Sequence, residues 1–411
     1  MELGSQREIA DREQLRQVAR EFAERVVIPA AAELDRQPDA EHSFSWELVE
    51  EASKLGLRTL TLEPGYGGPG VDSLSAAVVI EELAKGDLGV AVVIAQTLKI
   101  IQTIQKAGTD EQKRRFLPRI RDDDRFVLAI GLTEPDTASD YIIPYRSRAA
   151  RYRTTAVRGD GGWVINGYKH FISNGGRAGL YLLFAQTEPD KSLTEGSTCF
   201  LVDADTEGFS TGKPHEKMGE RLANNSPLIF EDCFVGDENV LGEPGEGFTV
   251  QSQFFPASNA YAAASVLGVA TAAYERALQW TRRRVQGGRP LIEHDAAAVQ
   301  LADMRMLLDV ARTYTHHAAR AADEERGRWD PTLAAYPKLF ASRVAWEVTT
   351  KAMELHGGHG YMRETGIEKL LRDAAAFLHS DGANLSLLLK AANVIRAEQT
   401  GSALGVIEEE G

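Results

Sequence analysis

The sequence is poor in cysteine, and this shortage limits the chemistry open to it. Only Cys199 and Cys233 occur among 411 residues, so at most one disulfide can form and no C-x-x-C metal spacing is present. A chain of this length can bury a sizeable core without disulfides. The composition therefore predicts a reduced, intracellular protein and argues against a disulfide scaffold or a thiolate metal centre.

Excess positive charge and long apolar runs are also missing. The 46 lysines and arginines are outnumbered by 60 aspartates and glutamates, for a formal net charge of −14, which disfavours nucleic acid or an anionic membrane as a partner. The longest weakly polar run, Ala260–Tyr274, is shorter than the roughly 20 residues that span a bilayer. The first residues are charged where a signal peptide is apolar. We therefore expect a cytoplasmic protein without a membrane span.

The pattern of apolar residues changes twice along the chain. Residues 1–125 repeat apolar side chains every three or four positions, which is typical of amphipathic helices. Residues 126–240 carry short β-branched and aromatic runs, and residues 241–411 return to the helical period. In the middle third, Asn166-Gly167 between two apolar runs predicts a hairpin turn. The order predicts an α+β fold with an N-terminal helical domain, a middle antiparallel β domain and a C-terminal helical bundle.

Four short segments combine residue types that bind ligands or carry out catalysis. Leu132–Asp140 offers hydroxyl and backbone donors to a polar ligand, or else forms a surface turn. Arg282–Arg284, followed by two glycines, suits a pyrophosphate or a positively charged helix end. His356–Gly360 has no carboxylate at ligand spacing, which disfavours a metal site. Asp381 precedes a predicted helix, where it is either an N-cap or a general base.

Taken in order, the motifs of this chain resemble those of the acyl-CoA dehydrogenase family over nearly the whole sequence. They are Leu132–Asp140, Asn166–Asn174, Lys217–Gly219, Asn239–Gly242, Leu301–Met304, Gly357–Tyr361 and Arg372-Asp373. The resemblance implies a helical domain, a β domain and a four-helix bundle, with FAD between the last two and across a subunit contact. It also implies a homotetramer that oxidises an acyl-CoA substrate and passes electrons to an electron-transfer flavoprotein.

The same resemblance assigns roles to individual residues. Thr133 would bond the flavin ring, Phe171 would replace a tryptophan that packs on it, and Ser173 would place a hydroxyl near flavin N5. Arg284 would reach the pyrophosphate of a neighbouring subunit's FAD. The full set implied for the cofactor is Leu132, Thr133, Ser139, Phe171, Ser173, Arg284, Gly357, Gly358 and Ala383. The set implied for the substrate is Ser139, Phe255, Ser258, Asn259 and Gly382.

The catalytic base that the resemblance implies is Asp381, at a position where glutamate is usual. A flavin accepts a hydride but does not remove an α-proton by itself, so a protein carboxylate has to take that proton. The alternative base position of the family matches Ser258, which leaves Asp381 as the matched candidate. Since aspartate is one methylene shorter than glutamate, the replacement favours a branched, cyclic or otherwise non-linear acyl group.

Other departures from the family pattern keep further functions open. Asp295 and Glu354 stand where the family usually has glutamine, and Asn259 replaces an arginine. The leading hypothesis is an FAD-dependent acyl-CoA dehydrogenase. One alternative is a flavin oxidase, monooxygenase or C–S lyase on the same fold. Another is a catalytically silent homologue that acts in assembly or ligand binding.

Overall fold

The computed structural model of the chain describes residues 6–138, 140, 149–324 and 331–400. Its helices are α1 Gln6–Phe22, α2 Ile28–Leu34, α3 Trp46–Lys54, α4 Ser73–Gly86, α5 Leu88–Ala107, α6 Asp110–Asp122, α7 Leu193–Gly196, α8 Gly247–Arg283, α9 Asp295–Ala321, α10 Tyr336–His356, α11 Gly358–Tyr361, α12 Ile367–Ala376 and α13 Asn384–Thr400. Its strands are β1 Leu128–Gly131, β2 Thr155–Gly159, β3 Gly162–Ser173, β4 Leu180–Gln186, β5 Ser197–Asp203, β6 Phe209–Thr211, β7 Asn225–Gly236, β8 Val240–Leu241, β9 Val285–Gln286 and β10 Arg289–Pro290. The order of helices, strands and helices confirms the predicted α+β class.

Helix α5 is the central element of the N-terminal part. Asp87 caps it by accepting a hydrogen bond from the backbone amide of Val90 at 3.0 Å. It is the one helix in the described part of the chain that is long and apolar enough to cross a membrane, and 89% of its most apolar window is buried inside the protein. Gln96 and Lys99 interrupt the apolar residues of this helix.

Eight strands of the described residues form one sheet in the order β6-β7-β3-β2-β4-β5-β8, with β1 beside β4. The hairpin turn predicted at Asn166-Gly167 is wrong, since β3 runs through both residues and the β2–β3 turn contains Gly161 at φ 71°. Gly167 instead lies at an irregularity in the pairing of β3 with β7. A Cβ there would lie 2.5 Å from the Cα of Thr154, the residue before β2, so this close approach of the backbone requires the glycine.

The helices of the two ends of the chain share their hydrophobic cores. Tyr261 and Ala264 of α8 are buried with residues of α4 and α5, while Leu88 at the start of α5 is buried with the core of α8, α9, α10 and α12. A third cluster joins α5 and α6 to the sheet through residues such as Ile101 and Leu182. Because α5 contacts all three parts, side chains on its faces can reach a site between them.

Candidate active site

A cavity of about 700 Å³ lies where the three parts of the chain meet. Its wall is formed by α5, the loop after β1, the end of β3, the start of α8 and the loop between α12 and α13. This volume is typical of a small-molecule binding site. Of the residues assigned from the sequence, those that line the cavity are Leu132, Thr133, Phe171, Ser173, Phe255, Asp381, Gly382 and Ala383.

Asp381 lies in the loop between α12 and α13 and has a left-handed backbone conformation with φ 51°. A residue with a side chain is strained there, and such strain is often found at functional sites. Gly382 follows with φ 94°, a conformation that only glycine adopts easily. Helix α13 begins at Asn384, three residues after Asp381, and the Asp381 carboxylate pairs with Lys99. The interpretation of Asp381 as an N-cap is therefore wrong.

A buried lysine holds this loop in place. Lys338 Nζ donates hydrogen bonds to the carbonyl oxygen of Gly382 at 2.6 Å and to Asn384 Oδ1 at 3.2 Å. The side chain is completely buried, and its burial lowers the pKa of Lys338 to about 7, although the nearby Asp381 acts in the opposite direction. The loop that presents Asp381 thus depends on a lysine that titrates near neutral pH.

The carboxylate of Asp381 faces the ammonium group of Lys99 on α5. Lys99 Nζ lies 3.3 Å and 3.4 Å from the two carboxylate oxygens and donates a hydrogen bond to Ser258 Oγ at 3.2 Å. The Lys99 side chain is 5% exposed and that of Asp381 is 31% exposed, so the carboxylate keeps access to the cavity. The sequence analysis missed Lys99, although an isolated lysine in an apolar helix indicates a buried charge with a partner.

A second buried carboxyl group, Glu220, also lines the cavity. Burial raises its pKa, since the ammonium of Lys217 at 3.6 Å only partly offsets the loss of solvation, and Asp381 and Asp373 disfavour a further negative charge. The backbone amide of Glu220 donates to Asp373 Oδ1 at 2.7 Å. Glu220 follows the motif Lys217–Gly219 but is not part of it, so the sequence did not indicate a role for this residue.

The loop that carries Leu132 and Thr133 is anchored by a fully buried ion pair. Lys169 Nζ lies 2.7 Å from Glu134 Oε1 and donates to the carbonyl oxygen of Leu132 at 3.2 Å. The backbone amide of His170 donates to the carbonyl oxygen of Thr133 at 2.8 Å. Burial lowers the pKa of Lys169 to about 8. Burial acts to raise the pKa of Glu134, but Lys169 and two backbone amides outweigh it and lower that pKa.

An exposed aromatic ring forms the adjoining wall. Phe171 is 60% exposed and has φ 56°, at an irregularity in the pairing of β3 with β7 between Lys169 and Ile172. Asn225 Nδ2 donates to the carbonyl oxygen of Phe171 at 3.2 Å and to Ser173 Oγ at 3.3 Å. The backbone irregularity therefore turns a large ring towards the cavity beside a fixed hydroxyl.

Two imidazole rings pack beside Phe171. The ring centroid of His170 lies 4.0 Å from that of Phe171 and 4.5 Å from that of His215. Burial lowers the pKa of both histidines, which favours neutral rings at pH 7. Nε2 of His215, which lines the cavity, has no hydrogen-bond partner among the described residues. An aromatic face, the hydroxyls of Thr133 and Ser173 and this orphaned nitrogen fit a planar heterocycle such as a flavin ring.

The other assigned residues on α8 lie beside the cavity. Ser258 and Asn259 are each 1% exposed. Ser258 accepts its hydrogen bond from Lys99, and Asn259 Nδ2 donates to the carbonyl oxygen of Phe255 at 3.2 Å. Oδ1 of Asn259 has no partner within the described ranges. Ser258 is thus one contact away from Asp381, and the substrate contacts expected for Ser258 and Asn259 stay predictions.

The remaining assigned residues do not line this cavity. Arg284 is exposed just after α8, and Gly357 and Gly358 are exposed where α10 ends and α11 begins. Their expected contacts with the cofactor of a neighbouring subunit stay predictions. Ser139 lies outside the described residues.

These features define a class of protein. A carboxylate, an exposed aromatic wall and hydroxyl groups converge on one cavity between a sheet and a helical bundle, which suits an oxidoreductase with a planar redox cofactor. No three His, Cys, Asp or Glu side chains within residues 6–138, 140, 149–324 and 331–400 are grouped to hold a metal ion.

Family models for the acyl-CoA dehydrogenase N-terminal domain, middle domain and C-terminal domain match residues 10–124, 129–233 and 245–395. The chain therefore belongs to the acyl-CoA dehydrogenase family. It is an oxidoreductase that acts on acyl-CoA, and its cofactor is FAD. This assignment confirms the resemblance noted from the sequence motifs.

Individual relatives agree with the family assignment. The chain is 36% identical over 366 residues to a short-chain specific acyl-CoA dehydrogenase of Clostridium acetobutylicum, covering 89% of this chain and 92% of that protein. The structure of butyryl-CoA dehydrogenase from Megasphaera elsdenii superposes with a TM-score of 0.87 at 33% identity, covering 96% of this chain and 100% of that one. A glutaryl-CoA dehydrogenase from Mycobacterium smegmatis in complex with FADH2 gives a TM-score of 0.83 at 26% identity, covering 96% and 95%.

Proposed function

We propose that this protein introduces a 2,3 double bond into an acyl-CoA thioester, with Asp381 as the base that takes the α-proton. The observation that carries the proposal is the position of Asp381, whose partly exposed carboxylate lines the same cavity as Phe171, Thr133 and Ser173. Those three residues would hold the flavin ring. FAD, when bound, supplies the acceptor for the β-hydride.

The backbone of the Asp381 loop supports the same reaction. An α-proton becomes acidic enough to remove only when the thioester carbonyl is polarised. The backbone amide of Asp381 donates no hydrogen bond to any described residue, so it is free to donate to that carbonyl. Lys338 fixes the following carbonyl of Gly382, which holds the amide and the carboxylate in one orientation. The loop therefore both activates the substrate and takes its proton.

The test of the base compares two carboxyl groups of the same cavity. We expect Asp381→Asn to slow the anaerobic bleaching of the flavin by acyl-CoA about 10²- to 10⁴-fold, the range of general-base catalysis. The matched control, Glu220→Gln, removes a buried carboxyl that Lys217 already engages and should keep at least about a tenth of the rate. Loss of bleaching in Glu220→Gln with activity kept in Asp381→Asn would assign the proton transfer to Glu220 instead.

We further propose that the acyl group is branched, alicyclic or otherwise non-linear. Asp381 reaches roughly 1.5 Å less far than a glutamate in its place, which exceeds the catalytic tolerance of about 0.5 Å. A substituted α-carbon held closer to the loop compensates for the shorter side chain. Asp381→Glu should then lose turnover on the native substrate. A large gain on straight short-chain thioesters, with activity on branched and cyclic ones unchanged, would contradict this substrate class.

The electron acceptor is proposed to be an electron-transfer flavoprotein, and the assembly a cytoplasmic homotetramer. The acceptor and the tetramer are implied by the resemblance of the motifs to the family, and the cytoplasmic location by the shortage of cysteine. Reoxidation of the reduced enzyme in air is the discriminating measurement, because an oxidase or monooxygenase of the same fold reacts rapidly with oxygen. Slow reaction with oxygen together with fast reaction with the flavoprotein is expected, and the opposite order would favour an oxidase.

A further inference from the structure

Helix α5 presents one face with two polar side chains to the cavity. Val92, Gln96 and Lys99 all line it, and their spacing of four and three residues places them on the same face of the helix. Gln96 is 4% exposed and the Lys99 side chain 5%. An amide and an ammonium group thus project from an otherwise largely buried apolar helix into the place where an acyl group has to lie.

The ammonium group of Lys99 makes long hydrogen bonds. Those with Ser258 Oγ and the two oxygens of Asp381 measure 3.2, 3.3 and 3.4 Å, and the ammonium also lies 5.2 Å from the centroid of the Phe254 ring. Charge-assisted hydrogen bonds of an ammonium to a carboxylate are usually about 2.7–2.9 Å. The Lys169–Glu134 pair in the same wall, at 2.7 Å, meets this standard. The Lys99 site therefore leaves room for a shorter contact with a further acceptor.

Gln96 has no hydrogen-bond partner for its side chain among the described residues, although the residue is 4% exposed. Its amide atoms are not among the fully buried polar atoms without a partner, and Gln96 lines the cavity. A ligand or water in the cavity can therefore supply the partner. Because Gln96 and Lys99 are neighbours on one helix face, a single ligand oxygen pair can satisfy both.

The chemistry of the proposed reaction adds a charge argument. Asp381 is the carboxylate within ion-pair distance of Lys99 in the described structure. When Asp381 takes the α-proton it becomes neutral, and Lys99 is then a buried cation without that counter-charge, which is unfavourable. A carboxylate on the substrate would pair with Lys99 throughout the proton transfer.

We propose that Gln96 and Lys99 form a subsite for a carboxylate on the acyl group, so that the substrate is the CoA monothioester of a short dicarboxylic acid. The inference rests on the proposed function only in placing the acyl group in this cavity. Since Lys99 lies beside Asp381, the carboxylate that it binds is only a few bonds from the α-carbon. A bent or cyclic carbon skeleton brings the two together more readily than an extended one.

Binding, measured apart from turnover, tests the subsite. The first ligand is glutaconyl-CoA, whose α,β bond is already a double bond, so that the oxidised enzyme cannot dehydrogenate it there. The second is its methyl ester, which keeps the shape and lacks the charge. Calorimetry on the FAD-loaded protein gives both dissociation constants. We expect the acid to bind at least roughly tenfold more tightly than the ester, as for a charged hydrogen bond.

The variants assign this preference to the subsite. Lys99→Met should bring the ratio of the two dissociation constants close to one, and Gln96→Leu should reduce it by a few-fold. The matched control is Lys106→Met, on an exposed turn of the same helix, which should keep the ratio. Equal dissociation constants for acid and ester in the unmodified protein would overturn the proposal. So would a preference for the acid that is unchanged in Lys99→Met, even if another variant failed to fold.

The outcome for the subsite is separate from the outcome for the reaction. If glutaconyl-CoA binds with the expected preference but saturated glutaryl-CoA does not bleach the flavin anaerobically, the subsite stands and the proposed dehydrogenation of this substrate fails. If acid and ester bind equally and saturated monocarboxylic thioesters bleach the flavin, the reaction stands and the subsite fails.

Discussion

Two lysine–carboxylate pairs, each with a buried lysine, lie at one cavity, and they differ in how completely they are satisfied. In the pair of Lys169 with Glu134 the distance is 2.7 Å, the side chains are 0% and 1% exposed, and the carboxylate also accepts two backbone amides at 2.6 and 3.0 Å. In the pair of Lys99 with Asp381 the distances are 3.3 and 3.4 Å, and the carboxylate is 31% exposed.

The difference separates a supporting pair from the pair that we propose to take part in the reaction. Both carboxylate oxygens of Glu134 accept hydrogen bonds from Lys169 or from backbone amides. This group therefore fixes the loop of Thr133 and is not available to take a proton from a ligand. Asp381 has a weakly held partner, access to the cavity and a strained backbone, so its carboxylate can change partners. Both pairs have a buried lysine, so burial of the lysine alone does not distinguish them; access of the carboxylate to the cavity does.

The largest expected difference between the two pairs is in the free energy of unfolding that is lost when the lysine is removed. Lys169→Met leaves Glu134 as a buried charge without its partner, and we expect a loss of about 3–5 kcal/mol in the free energy of unfolding. Lys99→Met should cost less than about 1 kcal/mol, because Asp381 can be hydrated from the cavity. Urea unfolding followed by circular dichroism gives both values. Equal losses in the two variants would show that the pairs do not differ in the way described.

Lys338 provides a pH-dependent test of the loop that presents Asp381. Its folded pKa of about 7 lies below the ordinary value of 10.5, so above pH 7 the unfolded chain binds the proton more strongly than the folded one. The unfolding free energy of the unmodified protein, relative to Lys338→Met, should therefore rise between pH 7 and 10 by on the order of a few kcal/mol. Below about pH 7 the difference should be flat. A difference that falls with rising pH would contradict the assigned direction.

Another small effect concerns the hydroxyl that supports Lys99. Ser258→Ala removes one acceptor of a buried ammonium, for an expected loss of about 1 kcal/mol in unfolding free energy. The matched control is Ser265→Ala, a buried serine on the same helix whose Oγ donates only to the carbonyl oxygen of Tyr261. Its loss should be smaller, because that carbonyl still accepts a backbone hydrogen bond within the helix. Equal losses would mean that Ser258 does not support the charge of Lys99.

The periodicity of the chain was sufficient to predict its class and the order of its parts. Helix, strand and helix thirds are local properties, since side-chain spacing follows the period of the backbone. The failure at Asn166-Gly167 has a tertiary cause. This dipeptide is typical of hairpin turns, but β7 pairs along the whole of β3. Thr154 also lies too close to position 167 for any residue with a Cβ.

The site was predicted in part. Motif resemblance located Thr133, Phe171, Ser173 and Asp381, which the fold brings to one cavity. The same approach missed Lys99, because a single lysine on an apolar helix belongs to no motif and its partner lies 282 residues away in the sequence. Such a long-range pair is recognised only when the chain is folded.

The sequence by itself determined the α+β class, the succession of its three parts and, through the resemblance of its motifs, the family and the FAD cofactor. Tertiary structure decided which charges are satisfied and which are left incomplete around the cavity. The physical reason is that helix and strand patterns are encoded by near neighbours in the sequence. Desolvation and pairing of charges depend instead on contacts between residues that only folding brings together.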